Sequence, residues 1–145
     1  MASDSECIFC RIVRGEAEAH VVHRDDRVVA FLDLHPVTRG HVLVVPRHHA
    51  PDLASLESGD AAAMIEAARH LAGVLRQTDL GVDGINLHLA DGVAAGQSVF
   101  HAHLHVIPRF RGDGFGFRRP LGVTESSAAE LAAIAEQIRL AGVDA

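Results

Sequence analysis

Between Phe100 and Pro108 the chain reads FHAHLHVIP, with histidines at 101, 103 and 105 alternating with apolar residues. Imidazole is largely unprotonated at neutral pH, so it can act as a nucleophile, a general base or a metal ligand. Successive side chains on a strand face opposite ways. His101, His103 and His105 are therefore expected on one face, with Phe100, Ala102, Leu104 and Val106 turned to a core. Neighbouring histidines on that face stand about 6.6 Å apart, from a rise of about 3.3 Å per residue. One phosphate can touch two of them, and a metal can join one of them to ligands elsewhere. A single outward histidine is an ordinary polar position on a half-exposed strand. Three in register beside Gly96-Gln97-Ser98 mark a site.

The residues that are missing narrow the chemistry. All 13 members of the Lys+Arg count are arginines, and the chain has no Tyr. A phosphate-loop lysine, Schiff-base catalysis, a Ser-Lys nucleophile and a tyrosine nucleophile or acid are therefore excluded. Eleven histidines in a chain of 145 residues with a formal charge of −6 leave imidazole as the main reagent. The acidic balance argues against non-specific nucleic-acid binding, which depends on a basic surface. No apolar run reaches membrane-spanning length, and MASDSECIFC lacks a basic segment followed by an apolar one. A cytoplasmic protein is expected.

Phosphorus chemistry fits the histidine cluster. A middle histidine can attack while one neighbour orients it and the other donates a hydrogen bond to phosphate oxygens. Ser98 can bond the phosphate or the leaving group, and Gly92 and Gly96 permit a close backbone approach to a phosphate. The pair Cys7-x-x-Cys10 supports a redox reading, a zinc half-site or two free thiols. No strand precedes it, as a thioredoxin-like pair would require. A zinc site needs two more ligands; His48 or His49 after the third strand, together with His101, would complete a closed and hence structural Cys2His2 set.

These residues must be positioned by the surrounding elements. CIFCRIVR (7–14) suits one or two helical turns, while 19–24 and 28–32 read as short strands parted by Asp25-Asp26. HVLVVP (41–46) is a strand apolar enough to be buried on both faces. Residues 55–77 form the best helix, with Met64, Ile65, Ala68, Leu71, Ala72 and Leu75 recurring at helical spacing. GINLHL (84–89) is a fourth strand, followed by the small-residue loop 90–96 that feeds the histidine strand. After Pro108, RFRGDGFGFRRP is too rich in Gly and Arg for regular structure. Ser127-Ala-Ala-Glu130 has the form of a capping box, opening a last helix with Leu131, Ile134 and Ile138 on one side. Strands joined by short turns, with helices set apart, predict a single α+β domain with an antiparallel sheet of about five strands.

His101-Ala102-His103-Leu104-His105-Val106-Ile107 resembles the signature of the histidine triad (HIT) family. GQSVFHAHLHVIPRF, Cys7-Ile-Phe-Cys-Arg-Ile, AFLD (30–33) and GHVLVVPRHH (40–49) also resemble its Hint-type prokaryotic branch. The likeness covers residues 6 to 112 or so and leaves an extension with a helix over 113–145. It implies the HIT-like α+β fold, with a long central helix and a C-terminal helix, in a homodimer whose two sheets join. It further implies a hydrolase of purine nucleoside phosphoramidates or related adenylated compounds. His103 would attack the α-phosphorus to give a nucleotidylated histidine, which water then hydrolyses. His101 would orient it, His105 would bond phosphate oxygens, and Ser98 and His41 would complete the active site. Asp33 would hold the ribose hydroxyls, Ile8, Phe9, Phe31 and Leu34 would surround the purine, and Gln97 would join the nucleotide site. The same resemblance implies one structural zinc on Cys7, Cys10, His49 and His101, choosing His49 over His48.

One position departs from the family pattern. Asn-x-Gly usually leads into Gly-Gln-Ser, whereas this chain has Ala90-Asp91-Gly92, so one polar contact is missing unless His88 or Ser98 supplies it. Two other functions compete. A dinucleoside polyphosphate hydrolase would use Arg109, Arg111, Arg118 and Arg119 on extra phosphates. A non-catalytic nucleotide-binding regulatory module would bind without turnover. The third histidine favours hydrolysis, since the related nucleotidyltransferases carry glutamine there.

Overall fold

The structure, a computed structural model, describes residues 4–142. Every strand pairing is antiparallel, in the order β1-β2-β3-β5-β4. β1 (Val21–Arg24) and β2 (Val28–Leu32) form a hairpin over Asp25-Asp26. Asp25 Oδ1 accepts the backbone N–H groups of Arg27 at 2.8 Å and Val28 at 2.9 Å. An aspartate closing its own turn in this way is a common hairpin device. β3 (Val42–Pro46) is buried along its whole length, as its apolar run predicts. β4 (Gly84–His88) lies at one edge, and β5 (Leu104–Arg109) runs between it and β3.

The alternation of side chains on the central strands divides the interior in two. On one face Val28, Ala30, Val42, Val44, Leu104 and Val106 pack under the long helix α2 (Ser58–Arg76), which contributes Met64, Ala67, Ala68, Leu71 and Leu75. On the other, Val29, Phe31, Leu43 and Val45 pack against Cys7, Phe9, Cys10 and Ile12, carried at the start of and within the short helix α1 (Ile8–Val13). Both faces are covered, so β2 and β3 lack the polar alternation of a half-exposed sheet.

Three local expectations are corrected. The helix begins at Ser58 rather than Ser55, because Asp52 Oδ1 accepts the Ser55 backbone N–H at 2.9 Å and closes a separate turn first. On α2, Ile65 is 55% exposed and Ala67 takes the inward place. The histidine strand is shorter than its pattern suggests. Its ladder starts at Leu104, while the Ala102 N–H bonds the Ala50 carbonyl at 2.7 Å, outside the sheet. His101 and His103 therefore precede the strand, and Phe100 is only half-buried.

The chain divides into two compact units, Met1–Gly114 and Phe115–Ala145. In the second, Ser127 and Glu130 form the expected reciprocal cap, each backbone N–H bonding the other's side chain, at 3.3 and 3.2 Å. This opens α3 (Ala128–Gly142), on which Leu131, Ile134 and Ile138 are exposed. Among the described residues, no helix is long and apolar enough to cross a membrane.

Candidate functional site

Backbone groups fix the tautomers of the buried histidines, and the tautomers determine what each can do. His103 Nδ1 lies 2.8 Å from the His101 carbonyl oxygen. A carbonyl only accepts, so Nδ1 carries the proton and Nε2 keeps its lone pair. Burial holds the His103 pKa below the ordinary imidazole value, leaving that lone pair available at neutral pH. The neighbouring ring has the opposite polarity. The Val37 backbone N–H donates to His41 Nδ1 at 3.1 Å, which places the His41 proton on Nε2. His41 Nε2 then donates to His105 Nδ1 at 2.8 Å, so His105 carries its proton on Nε2. Burial pushes His105 down to about 4, with His103 and His41 adding to the shift, so it too is neutral. His103 and His105 stand with ring centroids 5.0 Å apart, one offering a lone pair and the other an N–H. That combination suits attack on phosphorus with stabilisation of its oxygens.

His101 joins this pair to a second cluster. Its Nε2–H donates to the Pro46 carbonyl at 2.8 Å, so its Nδ1 lone pair faces Cys7 Sγ at 3.5 Å and Cys10 Sγ at 3.4 Å. His49 Nδ1 completes the group, 3.3 Å from both Cys10 Sγ and His101 Nδ1. Tetrahedral zinc, with bonds of about 2.0–2.1 Å to nitrogen and about 2.3 Å to sulfur, requires N···N edges of about 3.3 Å and N···S edges of about 3.5 Å. The four distances given match that requirement, and all four ligand atoms lie within 4.8 Å of one another. Burial and the adjacent Cys7 push the Cys10 thiol up to about 12, a balance that a bound cation reverses. The Pro46 carbonyl is the kind of outer partner that orients a metal-bound imidazole. His48 lies outside the cluster, 79% exposed, with its Nδ1 3.6 Å from Asp60.

Residues 14–112, including the three histidines, match the HIT domain family. The chain belongs to that family. Its fold is shared with a Zn-bound histidine triad family protein from Mycobacterium smegmatis, at 40% identity and a TM-score of 0.76 over 96% of this chain and 99% of that one. It is also shared with a histidine triad nucleotide-binding protein from Candida albicans, at 28% identity and a TM-score of 0.83 over 94% and 99%. Among sequence relatives, the adenylylsulfatase HINT3 of Arabidopsis thaliana is 36% identical over 105 residues, 72% of this chain and 53% of that protein.

In this HIT domain the histidine pair opens on a cleft of about 360 Å³. Ile8, Phe9, Phe31, Asp33, Leu34 and Ser98 all line it with His103 and His105. The four apolar residues differ in burial. Phe9 and Phe31 are core residues whose rings meet edge-on at 5.5 Å, and Phe9 also meets His103 at 5.1 Å. Ile8 and Leu34, which also line the cleft, are 42% and 75% exposed. Asp33 Oδ1 accepts the His35 N–H at 2.9 Å, while Oδ2 lies 3.7 Å from His41 Nε2. Gln97 is buried and supports the loop: its Oε1 accepts from the Gly92 N–H at 2.8 Å, and its Nε2 donates to the Pro51 carbonyl at 2.7 Å and the Val99 carbonyl at 3.0 Å. Arg109 is engaged by Asp113 at 2.7 and 2.8 Å and by Asn86 at 2.6 Å. Ala90 is buried. The backbone groups of Val37, Pro46 and His101 that set the tautomers carry no mark in the sequence.

Proposed function

We propose that this HIT protein hydrolyses nucleotide conjugates at the α-phosphorus, with purine nucleoside phosphoramidates and related adenylated compounds as substrates. The observation that carries the reading is the lone pair on His103 Nε2 beside the N–H on His105 Nε2, at one end of a cleft that also contains Asp33. The base lies among Ile8, Phe9, Phe31 and Leu34, and the Asp33 carboxylate accepts from the ribose hydroxyls. His103 Nε2 forms a bond to phosphorus as the bond to the leaving group breaks, and the leaving group takes its proton from water. His105 Nε2–H bonds a non-bridging oxygen, and Ser98 faces the phosphate or the leaving group. Water then cleaves the phosphorus–nitrogen bond, freeing the nucleoside monophosphate and restoring His103. His41 acts through His105. The names of the Candida and Arabidopsis relatives, nucleotide-binding protein and adenylylsulfatase, support this substrate class.

Cys7, Cys10, His49 and His101 hold one zinc ion, as supported by the ligand spacing and by the Zn-bound Mycobacterium relative. With all four positions filled by protein, the ion supplies structural cohesion. A homodimer, which the resemblance implies, is the proposed assembly.

The test is hydrolysis of adenosine phosphoramidate and diadenosine tetraphosphate side by side, with an alkaline quench to preserve any nucleotidyl-histidine, whose phosphorus–nitrogen bond is labile in acid. Faster release of AMP from the phosphoramidate, and loss of both turnover and adduct in His103→Ala with nucleotide binding retained, are expected. Preference for the tetraphosphate moves the protein to the dinucleotide class. Binding without any adduct on either substrate makes it a non-catalytic module.

A further inference from the structure

The chain entering β1 carries a cleft residue that the reaction leaves unused. The Leu32 backbone N–H donates to the His20 carbonyl at 3.0 Å, and Val21 lies opposite Phe31. The residues before β1 therefore run antiparallel to those after β2, which brings Glu18 and Ala19 beside Asp33 and Leu34. All four line the cleft. Glu18 precedes β1, Asp33 follows β2 and His105 is on β5. With the strands in the order β1-β2-β3-β5, these three groups follow one another from the edge of the sheet inward. The base, ribose and phosphate of a nucleotide have the same succession. On the functional reading above, on which the present inference rests, phosphorus lies at His103 and His105 and the ribose at Asp33. The base then extends toward Glu18.

Apolar side chains cover the faces of a purine without telling one purine from another, and Ile8, Phe9, Phe31 and Leu34 are of that kind. Glu18 is not. Its side chain is exposed and has no hydrogen bond or ion pair among the described residues. Glu16, two positions earlier, is held by Arg14 at 2.9 and 3.0 Å. His35 also lines the cleft, but an imidazole can donate or accept and so suits either purine. An ionised carboxylate only accepts, and its two oxygens can accept side by side. Guanine presents two adjacent donors on its Watson–Crick edge, N1–H and the N2 amine. Adenine presents the N6 amine beside the N1 lone pair, and that lone pair repels a carboxylate oxygen.

We propose that Glu18 reads the edge of the base and makes the cleft prefer guanine to adenine, its carboxylate accepting from N1–H and the N2 amine together. Adenosine conjugates remain substrates, held by the same apolar contacts without this pair of hydrogen bonds. Water competes for an exposed carboxylate, so the preference is about tenfold, far below the ratios that buried hydrogen-bonding sites reach.

The experiment measures GMP, IMP and AMP affinities by calorimetry in the full-length protein carrying His103→Ala, which needs no turnover. A second arm measures kcat/KM for guanosine against adenosine phosphoramidate with His103 intact. GMP is expected to bind about tenfold more tightly than AMP, with IMP, which keeps N1–H but lacks the N2 amine, between them. Glu18→Ala should bring the GMP-to-AMP ratio close to one by weakening GMP alone. Glu18→Gln should favour AMP, since a carboxamide offers one donor and one acceptor and can pair with adenine bidentately. The kinetic ratio should follow the binding ratio through the series. A parent protein that does not prefer GMP overturns the proposal, and so does a preference that survives Glu18→Ala. Equal losses of GMP and AMP in the variants also overturn it, because they denote a structural role. If the parent binds none of the three nucleotides, the nucleotide reading falls and this inference with it. Binding with ratios indifferent to residue 18 refutes base selection alone.

Discussion

The imidazoles of His103, His41 and His105 differ in what they offer because backbone groups fix their tautomers, directly for the first two and relayed through His41 for the third. His103 faces a carbonyl and keeps a lone pair on Nε2. His105 faces His41, whose own proton is placed by the Val37 N–H, and so presents an N–H. Replacing His41 by Ala removes that instruction without touching substrate. In other enzymes, loss of the group that fixes a tautomer costs up to about 10⁴ in kcat. The expected result here is a fall in kcat of at least about tenfold with little change in KM. His41→Gln, whose amide N–H reaches toward the same place, should recover part of it. A general loosening of the site would raise KM and respond equally to both substitutions, so steady-state kinetics of the pair distinguish the roles.

At the scale of elements, the site depends on what brings α1 and the loop before β5 against one face of the sheet while α2 fills the other. Leu71 is buried among α2 and strand residues. Leu71→Ala should cost about 2–5 kcal/mol in urea unfolding, the usual cost of truncating a buried leucine. Gly40 sets the entry to β3 just ahead of His41. It has φ of +85°, and a Cβ there would lie 2.9 Å from Leu80 Cδ1. Gly40→Ala should therefore destabilise by about 1–2 kcal/mol from the left-handed backbone alone, and more if Leu80 cannot move. A midpoint unchanged from wild type would show that the turn tolerates a side chain. The helix over 58–76 was legible because its apolar spacing is long and regular. Its start was not, because Asp52 and Ser55 prefer each other to a helical turn.

For the whole molecule, the cysteine–histidine cluster and the cleft histidines have separable effects on stability. The cluster ties Cys7 and Cys10, at the N-terminus, to His49 after β3 and His101 before β5. Elemental analysis should give about one zinc per chain, falling in Cys7→Ser/Cys10→Ser. Ligand present at about 100 times its Kd adds about 2.7 kcal/mol. At about 2–4 °C per kcal/mol, chelation should lower the Tm by more than about 5 °C. His105 adds a pH dependence. Burial lowers the folded pKa of His105 to about 4, whereas an unfolded histidine titrates near its ordinary value. The unfolded state thus binds the proton first. Stability is full above about pH 6.5 and declines as the pH falls toward about 4, by on the order of 2 kcal/mol for this residue. Urea unfolding at pH 7 and 4.5 should show a smaller decline in His105→Gln than in wild type, and an equal decline would remove His105 as the cause.

The sequence by itself determined the kind of chemistry and the kind of fold. With no lysine or tyrosine and histidines at 101, 103 and 105, imidazole had to be the reagent. The apolar run at 41–46 reads as a strand covered on both sides, because almost nothing polar in it could face water, whereas 28–32 reads only as a short strand. These are local properties, set by residue type and period. Tertiary structure alone decided how the histidines differ. The alternation predicted three equivalent side chains on one strand, but the ladder begins only at Leu104. His101 turns its Nδ1 toward two cysteines more than ninety residues away, while His103 and His105 face the cleft. Their tautomers depend on carbonyls and N–H groups of Pro46, Val37 and His101, which every residue except proline's missing N–H possesses in the same form. A backbone group acquires a role only through its place in space, so no sequence pattern could announce it.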